Sequence, residues 1–291
     1  MNKCLVTIDT EADSSADWKR RGPLSFESVT DGIPRLLRPL WDRCGVNPIY
    51  FVSPEVALDD ACCRVLEAEH KKGAVIGAHL HTEYLEFDSG NPPPVGAEFA
   101  SSLSRDAEFD ALSKLTNIIK TRLGVAPEWY RAGRFGAGNN TASILAELGY
   151  KYDSSVTPGI DWSPKGGPDF SAAPLQPYRV SVNSICKPAG ADDDSGITEY
   201  PVTICGKRFG MLGALLPDSW PFYNWLRPSH MTAFEQRRLV AGMRSQYTDP
   251  VLVMMFHSME ILPGKSPYVR GPITQRRFLS VLENVLNYIN K

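Results

Sequence analysis

The chain lacks most of the features that settle a function early. It has no excess of positive charge: 31 Lys and Arg stand against 33 Asp and Glu, a formal net charge of −2 at pH 7. A nucleic-acid surface needs a basic patch to displace phosphate counterions, and no basic cluster stands out. No apolar run approaches the ~18 residues of a membrane span. The N-terminal run in "MNKCLVTIDTEAD" meets an acid at Asp9, which leaves it too short for the core of a secretory signal. The six cysteines include no Cys-x-x-Cys pair, and Cys62 and Cys63 are adjacent. That spacing suits neither a thiolate metal site nor a disulfide framework; it reads as reduced thiols in a cytoplasmic protein. Histidine is scarce too, with five in 291 residues, so where those five fall carries information.

What is present is ordinary globular material, 43% hydrophobic and 22% charged, long enough to bury a large core without disulfides. Seven short apolar or β-branched runs read as strands: 4–9, 48–53, 74–81, 128–133, 150–156, 197–204 and 251–258. Most are continuous rather than alternating, as expected of parallel strands covered on both faces. Helical spacing fills the gaps at 28–43, where Pro39 should kink or shorten the helix, and at 55–72, 106–123, 140–148 and 273–289. Gly73, Gly124 and Gly149 follow three of these as stop signals. Strand–helix alternation predicts an α/β fold with a parallel sheet, closed or doubly wound. Residues 157–197, rich in proline, and 206–230, rich in aromatics, read as irregular insertions in one domain spanning 1–291.

In parallel α/β folds the functional groups collect at the carboxyl ends of strands. Here those ends carry Asp9 and Glu11, His79 and His81, Arg131, Asp153 and Ser154, and His257. Side chains two apart on a strand share a face. "TIDTE" therefore aims Thr7, Asp9 and Glu11 together, and "HLH" aims His79 and His81 together. Two imidazoles and a carboxylate make three metal ligands with room for water, the open arrangement of a catalytic site. Other polar residues have plainer readings. His70 sits on a charged helix, His230 starts one, Asp153 suits a turn cap, and Glu199 suits a buried paired glutamate.

The stretches "TIDTE", "GAHLHTE", "YRAGRFG" and "MFHS" occur in the order of the motifs of the polysaccharide deacetylases. The chain resembles these NodB-homology enzymes of carbohydrate esterase family 4, and "GAHLH" looks most like their WalW-like branch. The motifs run from residue 7 to residue 258, nearly the whole chain. The resemblance implies a distorted (β/α) barrel of about seven strands, a divalent metal that is usually Zn²⁺, and hydrolysis of an N-acetyl or related acyl group. Asp9 matches the catalytic base, Arg131 the arginine that holds it ionised, His257 the general acid and His79 the first metal histidine. Three positions depart from the common pattern. Thr10 stands where a second aspartate is usual, which makes Glu11 the candidate ligand. The second histidine, His81, comes two residues after the first, while Glu83 holds the usual fourth position and is the alternative ligand. Ala132 and Gly133 stand where prolines are common.

Trp162, Trp220, Tyr223 and Trp225, in the irregular segments, are candidate sugar platforms, with loop packing as the alternative for each. The expected substrate is a small carbohydrate or glycan precursor of surface-polysaccharide assembly, with no nucleic acid and no membrane span involved. Two rivals remain at this level. Two histidines and a carboxylate also describe a non-haem Fe(II) site, and the unusual ligands suit a carbohydrate-binding protein on an inactive deacetylase scaffold.

Overall fold

A computed structural model describes residues 4–18, 22–82, 99–207 and 223–291. Its strands are β1 (Cys4–Thr10), β2 (Ile49–Val52), β3 (Val75–Leu80), β4 (Trp129–Ala132), β5 (Tyr152–Asp153), β6 (Tyr178–Ser181), β7 (Ser184–Pro188), β8 (Asp194–Glu199), β9 (Ile204–Lys207), β10 (Tyr223–Trp225) and β11 (Leu252–His257). The helices are α1 (Arg38–Cys44), α2 (Pro54–Leu58), α3 (Asp60–Lys71), α4 (Arg105–Leu123), α5 (Thr141–Glu147), α6 (Ala233–Gln246) and α7 (Pro272–Ile289). The chain divides into two compact units, 1–76 with 225–291, and 77–224, the division falling inside β3.

In the first unit β1 lies between β11 and β2, parallel to both. Val6 and Ile8 of β1 and Val253, Met254, Met255 and Phe256 of β11 are all buried, because both faces of a parallel sheet are covered. The two hydroxyls of β1 are both paired, Thr7 donating to the Met254 carbonyl at 2.7 Å and Thr10 to the Ile8 carbonyl at 3.0 Å. Helix α7 buries Phe278, Val281, Leu282, Val285 and Ile289, and Phe278 meets Phe256 edge-on at 5.3 Å. The helix expected over 28–43 divides in two. Ser28–Leu37 winds as a wide π-helix containing Pro34, and α1 follows with Pro39 in its first turn. A proline at a first turn loses no hydrogen bond, so Pro39 marks a start rather than a kink.

In the second unit the strand order is β3-β4-β5-β8-β6-β7, parallel from β3 to β8. The last two strands, β6 and β7, run antiparallel and correct the expectation of an irregular 157–197 segment. Tyr178, Val180 and Ile185 are buried while Arg179 and Lys187 point outward. That is the half-buried alternation of an antiparallel edge, which a search for continuous apolar runs passes over. The run at 197–204 is not one strand either: β8 ends at Glu199, Pro201 intervenes, and β9 begins at Ile204 to pair with β10 in a separate two-stranded sheet. Helix α4 has its sequence signals in place, Ser104 capping the Ala107 N–H and a left-handed Gly124 (φ 67°) closing the C-terminus. Among the described residues no helix is long and apolar enough to cross a membrane.

Candidate active site

One polar cluster grows from the register of the first unit. Asp9 at the end of β1 is the neighbour of His257 at the end of β11. His257 Nε2 lies 3.9 Å from Asp9 Oδ2 and 3.8 Å from Glu11 Oε1, and both carboxylates are buried. The Glu11 backbone is pinned by Ser258, whose Oγ accepts from the Glu11 N–H at 3.3 Å and donates to its carbonyl at 3.2 Å.

Behind His257 stands Glu260, three residues on, at the end of a single 3₁₀ turn (Ser258–Ile261). Its Oε1 accepts from the His257 backbone N–H at 2.9 Å and lies 2.9 Å from His257 Nδ1. Arg227, also buried, donates to Glu260 and places Nη2 3.0 Å from the same Nδ1. A guanidinium can only donate and a carboxylate can only accept. His257 Nδ1 thus has both an acceptor in Glu260 and a donor in Arg227 within reach, and the ring turns Nε2 to Asp9 and Glu11. Burial works against ionising Glu260, but the Arg227 charge and the His257 hydrogen bond outweigh it and hold the carboxyl far below the usual range. The strand-end search misses Glu260 and Arg227, since neither ends a strand. The signal available was a glutamate one 3₁₀ turn after a strand-end histidine.

A second cluster, built on histidines, belongs to the second unit. His79 and Arg131 are register neighbours on β3 and β4. His79 Nδ1 lies 2.9 Å from the Arg131 carbonyl, which can only accept. The Nδ1 proton goes there, which makes Nε2 the nitrogen that could ligate a metal. The His81 ring stands 4.8 Å from that of His79 at 75°. Gly133 makes room for it: a Cβ at that position would come within 2.6 Å of the Leu80 carbonyl and 2.9 Å of the His81 ring. His79 and His81 each offer a ligand nitrogen on the second unit, and Glu11 offers a carboxylate oxygen on the first. A His-His-Glu group of this kind can bind a metal ion.

Arg131 is wholly buried, with Nε donating to the Ser154 carbonyl and Nη2 to Ser154 Oγ, both at 2.7 Å. Beside it Asp153 accepts from the Ser154 N–H and from Ser155 Oγ, and Glu199 accepts from the Val156 N–H. Asp153 Oδ2 and Glu199 Oε2 are buried without a hydrogen-bond partner among the described residues, and the two carboxyls influence each other's ionisation. Burial pushes Asp153 up to about 6 and Glu199 well above the carboxylate range, while Arg131 pulls both back. The turn-cap reading of Asp153 and the paired reading of Glu199 are thus both realised.

Among the aromatic candidates, Trp162 is half-buried, donates Nε1–H to Thr157 Oγ1 at 2.9 Å and stacks on Phe135 at 6.4 Å. Tyr223 is half-buried over Gly159. Trp225 is 2% exposed and edge-on to His230, so the loop-packing alternative describes it. Trp220 and Glu83 lie outside the described residues.

Solved structures share this α/β fold at low sequence identity. A Mycobacterium smegmatis protein provisionally classed as a polysaccharide deacetylase matches with a TM-score of 0.53 and 18% identity, over 97% of this chain and 84% of that one. The allantoinase Puue matches with a TM-score of 0.53 and 12% identity, over 99% and 83%. A GH57-type branching enzyme of Pyrococcus horikoshii matches with a TM-score of 0.52 and 11% identity, over 97% and 66%. No family model matches the sequence, and no curated protein does. The chain has the parallel-rich α/β fold of the NodB-like deacetylases. Three activities on one fold mean that the reaction must be argued from the site.

Proposed function

We propose that this chain is a metal-dependent hydrolase that removes an N-acetyl or related acyl group from an amino sugar or a glycan precursor containing one. The observation that carries the reading is the end of the β1–β11 pair. There His257 presents Nε2 to Asp9 and Glu11 while Glu260 holds its other nitrogen. A binding protein has no use for a base, an acid and a buried carboxylate behind the acid, and an iron oxygenase has little more. In this reading residues 1–291 are one catalytic domain.

Glu11, His79 and His81 would hold the divalent cation, and a mixed imidazole–carboxylate set suits Zn²⁺. When bound, such an ion polarises an acyl oxygen and brings the pKa of a water toward ~7. Asp9 takes the proton of the attacking water. Arg131 keeps Asp9 anionic. His257 gives its Nε2 proton to the nitrogen as the C–N bond breaks, and Glu260 steadies the imidazolium through Nδ1. The products are a free amine and a short carboxylic acid, acetic acid in the simplest case. All six cysteines are free thiols, which suits a reducing compartment such as the cytoplasm.

The test is acetate release by zinc-loaded protein from N-acetylglucosamine oligomers and other acetamido sugars. Turnover should fall about 10²–10⁴-fold in Asp9→Asn and in His257→Ala, with circular dichroism unchanged. Full activity in either variant, or no acetate from any acetamido sugar, would overturn the reading.

A further inference from the structure

We propose that Trp18 is the sugar-contacting surface of this site, its indole taking the C–H face of the pyranose whose amide is cleaved. The inference rests on the deacetylase reading and names the part of the substrate that this residue recognises.

Trp18 closes a turn, its N–H donating to the Ser15 carbonyl at 2.9 Å. Its φ is +59°, in the left-handed region that bulky side chains rarely occupy. The residue is nevertheless 38% exposed, although an indole gains most from burial. The strained backbone thus holds a large apolar ring toward solvent, where it contributes little to folding. What the ring touches gives the reason. It lies 5.1 Å from the His257 ring at an interplanar angle of 57°, and 5.6 Å from Tyr268 in an edge contact. Tyr268 in turn faces the Arg227 guanidinium at 5.1 Å, the same arginine that fixes Glu260. The indole is therefore seated against His257 and Tyr268 of the proton-donor assembly, on a residue that keeps 38% of its surface exposed.

Chemistry then limits what can rest on it. The leaving nitrogen must come within hydrogen-bond reach of His257 Nε2, and in an acetamido sugar that nitrogen is one bond from the ring. The pyranose must lie beside His257, where the indole is. Pyranose C–H groups carry slight positive charge and match the negative face of an aromatic ring. A linear acyl amide offers no such face.

The experiment compares wild type, Trp18→Ala and Trp18→Phe, all zinc-loaded, on the trimer of N-acetylglucosamine. Trp18→Ala should raise KM about tenfold or more, the loss expected for one aromatic contact, with kcat changed less than about threefold. Trp18→Phe should recover most of the loss. Binding is read without turnover in an Asp9→Asn background by saturation-transfer NMR with irradiation of aromatic protons. Sugar-ring C–H signals should receive saturation with Trp18 or Phe at this position and lose it with Ala. An unchanged KM in Trp18→Ala overturns the inference while leaving the deacetylase reading intact. So does a fall in kcat alone, the signature of a ring that only steadies His257. A wild type inert on every acetamido sugar overturns the deacetylase reading and the inference with it.

Discussion

Glu260 joins two demands in one carboxylate, since it accepts from both His257 and Arg227 inside the protein. Removing it strands a buried guanidinium. Glu260→Ala should therefore cost about 3–5 kcal/mol of stability, measured by urea unfolding. Glu260→Gln keeps the shape but not the charge, and should lower kcat about 10²-fold with little change in KM. A Gln variant with wild-type kcat would remove Glu260 from the mechanism. Gly133 makes a different residue-scale prediction. Its missing Cβ is the space occupied by the His81 ring. Gly133→Ala should displace His81 and weaken zinc binding about 10–100-fold, read by isothermal titration calorimetry; unchanged affinity would mean that His81 is not a ligand.

At the scale of elements, α4 brings a buried acid into the core of the second unit. Burial pushes Glu108 up to about 7, nearby Asp153 adds to the rise, and the hydrogen bond from Thr141 partly opposes it. A carboxyl whose folded pKa exceeds its unfolded one binds more protons in the folded state. Its stabilising contribution is complete below about pH 4.5 and is lost as pH rises through about 7. That contribution is on the order of 3 kcal/mol. Glu108→Gln should flatten the fall in stability between pH 4.5 and pH 7, followed by urea unfolding at several pH values; an unchanged slope would mean that Glu108 titrates normally. The same scale shows what the amino-acid pattern could and could not convey. Six of the seven expected strands fall on β1, β2, β3, β4, β5 and β11, because continuous apolar runs and the glycines after helices are local signals, while the seventh, 197–204, takes in the end of β8 and the start of β9. Strands β6 and β7 were hidden because alternating polarity among prolines resembles a loop. Strand-end residues Asp9, His79 and His257 were legible because strand period and strand end fix where such side chains go. Glu260, Arg227 and Trp18 were not, because a turn, a distant arginine and a positive φ have no periodicity.

For the molecule as a whole, the proposed ligand set would make stability a function of metal. A cation bound only by the folded state, at about 1,000 times its Kd, adds about 4 kcal/mol. Zinc should raise the melting temperature of the wild type, a chelator should reverse the rise, and His79→Ala should abolish it. A melting temperature indifferent to zinc would sink the assignment of Glu11, His79 and His81 as ligands. Strand β7, the outermost strand of the second unit, has a consequence for the behaviour of the protein in concentrated solution. An outermost strand offers unpaired backbone groups to any passing chain, the first step toward aggregation. Strand β7 ends in exposed Lys187 and Pro188. An incoming strand would have to strip water from the ammonium, and it would find no N–H on the proline. The antiparallel extension carries its own guard against self-association, and replacing both residues by valine should bring precipitation at concentrations that the wild type tolerates, followed by light scattering.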